Sequence, residues 1–220
     1  RRIQSKGSVL SESTRTRAQK LSDPKQDDAS KKSQYVIVLD AGHGGKDEGA
    51  VSDDGKLEEK EYNLAVVKEI ARLLEQSGVK VYCTRTTDRT VSKKARVRLA
   101  NKRQADMLVS VHCNASDARK HSVRGIEVLY SKRDNGAGYT NKQLAAKLLK
   151  KTVAATGLPA RGVIRREDLY LMHHAKVPAV IVETGYLTNP SDCLYMRQEK
   201  GIRQTAWGIY QAVMETLEKY

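Results

Sequence analysis

From Tyr35 onward, short β-branched runs alternate with stretches of helical period, and this alternation constrains the fold more than any other feature. Tyr35-Val36-Ile37-Val38-Leu39 is a continuous apolar run, the pattern of a strand covered on both faces. Val79–Thr84, Met107–His112, Ile126–Tyr130 and Pro178–Glu183 read the same way. From Glu59 to about Glu75, Leu64, Val67, Ile70, Ala71 and Leu74 recur at helical spacing, and Gly78 supplies the stop. A very basic helix is expected over 91–104 and another around 140–156. Ile202, Ala206, Ile209, Val213 and Leu217 mark a closing amphipathic helix. Strands alternating with helices of this length predict a single α/β domain with a mostly parallel central sheet of about six strands, flanked by helices on both faces. One domain with one core, over 34–220, is expected to carry the activity.

Residues 1–33 have no such period. They hold nine basic and four acidic residues with only scattered apolar ones, and read as a flexible basic arm or stalk. The whole chain has a net charge of +14. No stretch approaches the ~18 apolar residues of a membrane helix. The first residue is Arg1, not Met, which leaves room for a removed signal or membrane anchor upstream. Cys83, Cys113 and Cys193 are too few and too scattered for a disulfide framework or a CxxC zinc signature.

Three buried runs end in, or lead straight into, a residue able to bind a metal or carry a proton. Val36–Asp40 leads to His43, Leu108–Val111 ends at His112, and Val180–Val182 ends at Glu183. Ligands of open α/β sheets bind at the carboxyl ends of the strands, so these side chains should converge on one crevice. A hydrolytic zinc site takes three His or carboxylate ligands and leaves a position for water. The start of the first helix faces the same end of the sheet. It offers Glu58, Glu59 and Glu61, and an ordinary helix-dipole role suits any one of them equally well. Cys113 follows His112 and on a strand would point to the opposite face.

Four motifs occur in order: Asp40-Ala41-Gly42-His43-Gly44-Gly45; Glu59-Lys60-x-x-Asn63-Leu64; Ser110-Val111-His112-Cys113-Asn114-Ala115; and Val182-Glu183-Thr184-Gly185-Tyr186-Leu187-x-Asn189. With Thr84-Arg85 and Arg96-x-x-x-Ala100-Asn101, this arrangement resembles the zinc-dependent N-acetylmuramoyl-L-alanine amidases of the type-3 family, from about Tyr35 to the C-terminus. The resemblance implies one zinc per chain, held by His43, Glu59 and His112, with Glu183 as the catalytic carboxylate. It implies hydrolysis of the amide bond between N-acetylmuramic acid and L-alanine in peptidoglycan, during cell-wall or spore-cortex remodelling.

The expected partners are glycan strands with their stem peptides and a regulatory or activating protein. The implied location is extracytoplasmic, in the cell envelope, the wall or the forespore intermembrane space. Ala41 replaces a common Pro, and His173 falls where many members carry Arg. The short span from His112 to Glu183 has no room for the autoinhibitory helix of some division-associated members, so the chain resembles the compact forms, including those acting on spore cortex. Two other readings compete. One is a non-catalytic peptidoglycan-binding module. The other is a nucleic-acid binder, suggested by the run Lys93-Lys94-Ala95-Arg96-Val97-Arg98. No aromatic stacking pattern accompanies that run, so no nucleic-acid partner is expected and a solvated basic helix is the simpler reading.

Overall fold

The computed structural model describes residues 35–117, 121–133 and 135–220. The arm expected over 1–33 lies outside the described residues. The chain runs β1 (Val36–Ala41), α1 (Glu59–Gln76), β2 (Lys80–Cys83), α2 (Lys93–Arg103), β3 (Met107–Asn114), β4 (Ile126–Tyr130), α3 (Asn141–Thr156), β5 (Ala160–Arg165), α4 (Tyr170–His174), β6 (Ala179–Tyr186), α5 (Pro190–Met196) and α6 (Glu199–Lys219). The six strands form one sheet in the order β2-β1-β3-β6-β4-β5.

Strict alternation along the strands decides what each face packs against. Ile37, Leu39, Met107, Val109, Val180 and Val182 face α1, α3 and α6, where they meet Val66, Ile70, Leu148, Ile209 and Val213. Val38, Leu108, Leu129 and Ile181 face the other way, onto Val97 and Ala100 of α2 and Leu171 and Met172 of α4. The single core expected from the sequence is therefore two clusters, one on each face of the sheet. Each fully buried Leu, Ile or Val contributes about 1.5–3 kcal/mol to holding the layers together.

Local chemistry sets the element ends. Thr140 and Gln143 form a reciprocal capping box at the start of α3, and Gly157 closes that helix in the left-handed conformation. Asn189 accepts from the amides of Ser191 and Asp192 and starts α5, with Pro190 in its first turn.

Four of the five strand pairings are parallel, and β4 against β6 is antiparallel. None of the described residues between β3 and β4 is helical, and β4 enters the sheet from the opposite end. As a result the start of β4 lies beside the carboxyl end of β6. In this register Glu183 has His112 on one side and Glu127 on the other.

Candidate metal centre

β1 hands the chain to a loop whose shape is held by two arginines. His43 sits in the left-handed region at φ 58, so its imidazole turns over the strand ends. Arg85 donates from Nε to the Ala41 carbonyl (3.0 Å) and from Nη2 to the carbonyls of Gly42 (2.9 Å) and Lys60 (2.6 Å). Arg96 donates to the carbonyls of Ala41 (2.5 Å) and His43 (2.7 Å), and to the Asp40 carboxylate (2.6 Å). Asp40 also accepts from Thr84 (2.6 Å) and Ser110 (2.6 Å). Burial would raise the Asp40 pKa, but Arg96 and the two hydroxyls outweigh it and hold the carboxyl below its ordinary value. Arg96 is only 7% exposed, so the basic helix is not wholly solvated as the sequence suggested.

Gly42 must be glycine because of its neighbour: a Cβ there would lie 2.3 Å from the His112 ring. That ring meets His43 edge to face, with centroids 5.0 Å apart. Glu59, 3% exposed at the first turn of α1, lies against both imidazoles. Its Oε1 is 3.2 Å from His43 Nε2 and 2.9 Å from His112 Nδ1, and accepts from the Cys113 amide at 3.0 Å. Its Oε2 accepts from the Ala50 amide at 2.9 Å. The ligand atoms of His43, Glu59 and His112 lie within 4.8 Å of one another. Burial opposes the charge on all three, but mutual attraction prevails: both histidines are raised and Glu59 is held well below the usual carboxylate range. Glu58 pairs instead with Lys60 (3.1 Å), and Glu61 is exposed. Cys113 turns to the opposite face, its Sγ 3.6 Å from Asn63 Oδ1, as alternation requires.

Glu183 stands beside this triad on β6. Burial pushes its carboxyl up to about 7, and its Oε2 is buried without a hydrogen-bond partner. The cleft in front has a volume of about 290 Å³ and is lined by His43, His112, Glu183 and Arg166, with Val91, Leu129, Leu171 and Ile181 as apolar walls.

Sequence reasoning missed several neighbours. Asp47 Oδ1 lies 2.8 Å from His43 Nδ1 and orients that ring from behind, as carboxylates do for metal-binding histidines. Its place four residues after His43 was the only signal. Glu127 accepts from Arg161 Nε (2.6 Å), the Tyr186 hydroxyl (2.8 Å) and Asn114 Nδ2 (3.3 Å). Nothing in its own segment marks it, because its place follows from the reversed β4. His173 is not among the cleft-lining residues; its ring packs on His174 with centroids 4.9 Å apart.

Two imidazole nitrogens and a carboxylate oxygen form a donor set able to hold a divalent metal ion while leaving a coordination position open. An unpartnered buried carboxyl next to it can accept and return a proton. At the carboxyl ends of an α/β sheet, this combination defines a hydrolase. The comparisons make the class specific: the sequence matches the N-acetylmuramoyl-L-alanine amidase family over residues 37–215, and the chain belongs to that family.

Among characterised relatives, it is 36% identical over 163 residues to the N-acetylmuramoyl-L-alanine amidase LytC of Bacillus subtilis, covering 74% of this chain but 32% of LytC. The chain thus spans about a third of that relative's length. The catalytic domain of CwlV from Bacillus (Paenibacillus) polymyxa superposes with a TM-score of 0.77 at 34% identity, covering 84% of this chain and 98% of that one. The CwlD amidase of Clostridioides difficile, solved in complex with the GerS lipoprotein, gives a TM-score of 0.77 at 29% identity, covering 84% of this chain and 100% of that one.

Proposed function

We propose that the chain is a zinc-dependent amidase that hydrolyses the bond between N-acetylmuramic acid and the L-alanine of peptidoglycan stem peptides. The observation that carries this reading is the convergence of His43 Nε2, Glu59 Oε1 and His112 Nδ1 beside the unpartnered Glu183 carboxyl. Those three side chains would hold one zinc per chain. When bound, zinc supplies Lewis acidity toward the scissile carbonyl and toward water. Glu183 takes the proton of the attacking water and returns it to the departing alanine amine. Asp47 fixes the His43 ring, and Arg85 and Arg96 fix the loop that carries it. The apolar walls lower the local polarity and so strengthen electrostatic interactions within the cleft. No Ser or Cys nucleophile is required.

Residues 34–220 form the catalytic unit in this reading, and residues 1–33 serve as a basic arm. The setting is extracytoplasmic, in wall or spore-cortex remodelling, because peptidoglycan lies outside the cytoplasmic membrane. A protein partner is part of the proposal, supported by the CwlD–GerS complex. The test is mass spectrometry of muropeptides from vegetative wall and from spore cortex, after incubation with enzyme with and without chelator. Chelator-sensitive release of stem peptides with a free alanine amine is the expected result. Cleavage at another bond, or release unaffected by removal of the metal, overturns the proposal.

A further inference from the structure

Among the described residues lining the cleft, one cation is tied into the site's own structure and two are not. Arg96 is committed to Asp40 and to loop carbonyls. Arg166 and Lys93 line the same cleft and hold neither the loop nor the triad. Arg166 pairs locally, with its side chain 41% exposed. Its amide donates to the Tyr130 carbonyl at 2.8 Å, anchoring it just past β5. Its Nε and Nη2 donate to the two oxygens of Asp168, each at 2.8 Å. A guanidinium has five N–H donors, and this fork uses two. Those remaining suit a planar carboxylate, which arginine recognises better than lysine does. Arg166 also lies close enough to Glu183 for their charges to interact.

Glu183 marks a direction in the cleft. In the proposed function, on which this inference rests, Glu183 delivers a proton to the departing amine. The leaving peptide therefore extends from Glu183 and not from the far side of the triad. Ile181, two residues before Glu183 on β6, and its cross-strand partner Leu129 give the cleft an apolar wall that suits a methyl side chain. Arg166 lines the same cleft. We infer that Arg166, assisted by Lys93, binds a free carboxylate on the stem-peptide residue after the alanine, so that the enzyme selects acidic stems over stems in which that carboxylate is amidated.

The experiment is calorimetric titration of the full, zinc-loaded chain with L-alanyl-D-glutamate and with the dipeptide whose glutamate α-carboxylate is a carboxamide. Wild type, Arg166→Gln and Arg166→Lys are compared. Wild type should bind the carboxylate form about 10-fold more tightly, the scale of one charge-assisted hydrogen-bonded contact. Arg166→Gln should bring the two affinities within about 2-fold. Arg166→Lys should keep part of the preference, because it retains the charge but loses the fork. Equal affinities in wild type, or an unchanged ratio in Arg166→Gln, overturn the inference. Binding is read without turnover, so failure to cleave muropeptides would overturn the proposed function and leave this result standing by itself. Where cleavage occurs, the preference should appear in KM more than in kcat.

Discussion

Asp40 carries a charge that is 1% exposed and is matched by a guanidinium at 2.6 Å. Removing one member of such a pair leaves the other buried and uncompensated, so Asp40→Asn should destabilise the fold by about 3–5 kcal/mol in urea titrations at pH 7. The pH dependence has a definite sign. The native pKa of Asp40 is lowered, so its contribution is complete above the unfolded value of about 3.9 and is lost as pH falls below that toward the native value. Stability curves of wild type and Asp40→Asn should therefore converge on acidification below about pH 4; curves that stay parallel would show that the charge does not matter.

Among the helix-start acids, Glu59→Ala should empty the metal site after dialysis, while Glu58→Ala and Glu61→Ala keep near-stoichiometric zinc. A site emptied by Glu61→Ala would move the ligand. Glu183→Gln should retain zinc and lose roughly 10²–10⁴-fold in activity; loss of metal in that variant would make Glu183 a ligand instead. His43, His112 and Glu183 were visible in the sequence because each ends or follows an apolar run. Glu59 was not separable from Glu58 and Glu61 without a known family, because all three acids suit a helix start. Asp47 and Glu127 were illegible for a different reason: their roles depend on a turn and a strand direction that no local period encodes.

At the scale of elements, the long helices and buried strands were legible because their periods are strong. β5 was not foreseen. Its sequence, Ala-Arg-Gly-Val-Ile-Arg, has no uniform apolar character, as befits the sheet edge it occupies. α4 and α5 have five and seven residues, too short for a helical repeat to be read. The reversal of β4 depends on what connects it and not on its composition. The contact between α3 and α6 gives a prediction at this scale. Gly208 faces Thr152, and a Cβ there would lie 2.6 Å from the Thr152 Cα and 2.9 Å from the Lys151 carbonyl. Helix propensity alone would favour Gly208→Ala by about 1 kcal/mol. Here overpacking should win, at a cost of about 1–3 kcal/mol in thermal or urea unfolding, with activity per folded molecule unchanged. A stabilised variant would show that the two helices separate easily.

Taken whole, the molecule is strongly basic, with a net charge of +14, and the first 33 residues hold nine basic against four acidic residues. A protein beginning at residue 34 should cleave soluble muropeptides at the full rate, and intact sacculi more slowly at low salt. Raising ionic strength should erase the difference as attraction to anionic wall polymers is screened. A large loss on the soluble substrate would show that the arm supports the catalytic unit. The two arginine clamps carry a consequence for the molecule's life between turnovers. Arg85 and Arg96 hold the carbonyls of Ala41, Gly42, His43 and Lys60 through bonds that need no ion. Chelation should therefore silence the enzyme without dismantling it. Unfolding should shift only by the binding linkage, and activity should return on re-addition of zinc with no refolding lag. On the proposed reading, a chain secured in this way would lie dormant in a metal-poor medium and resume as soon as an ion diffuses in.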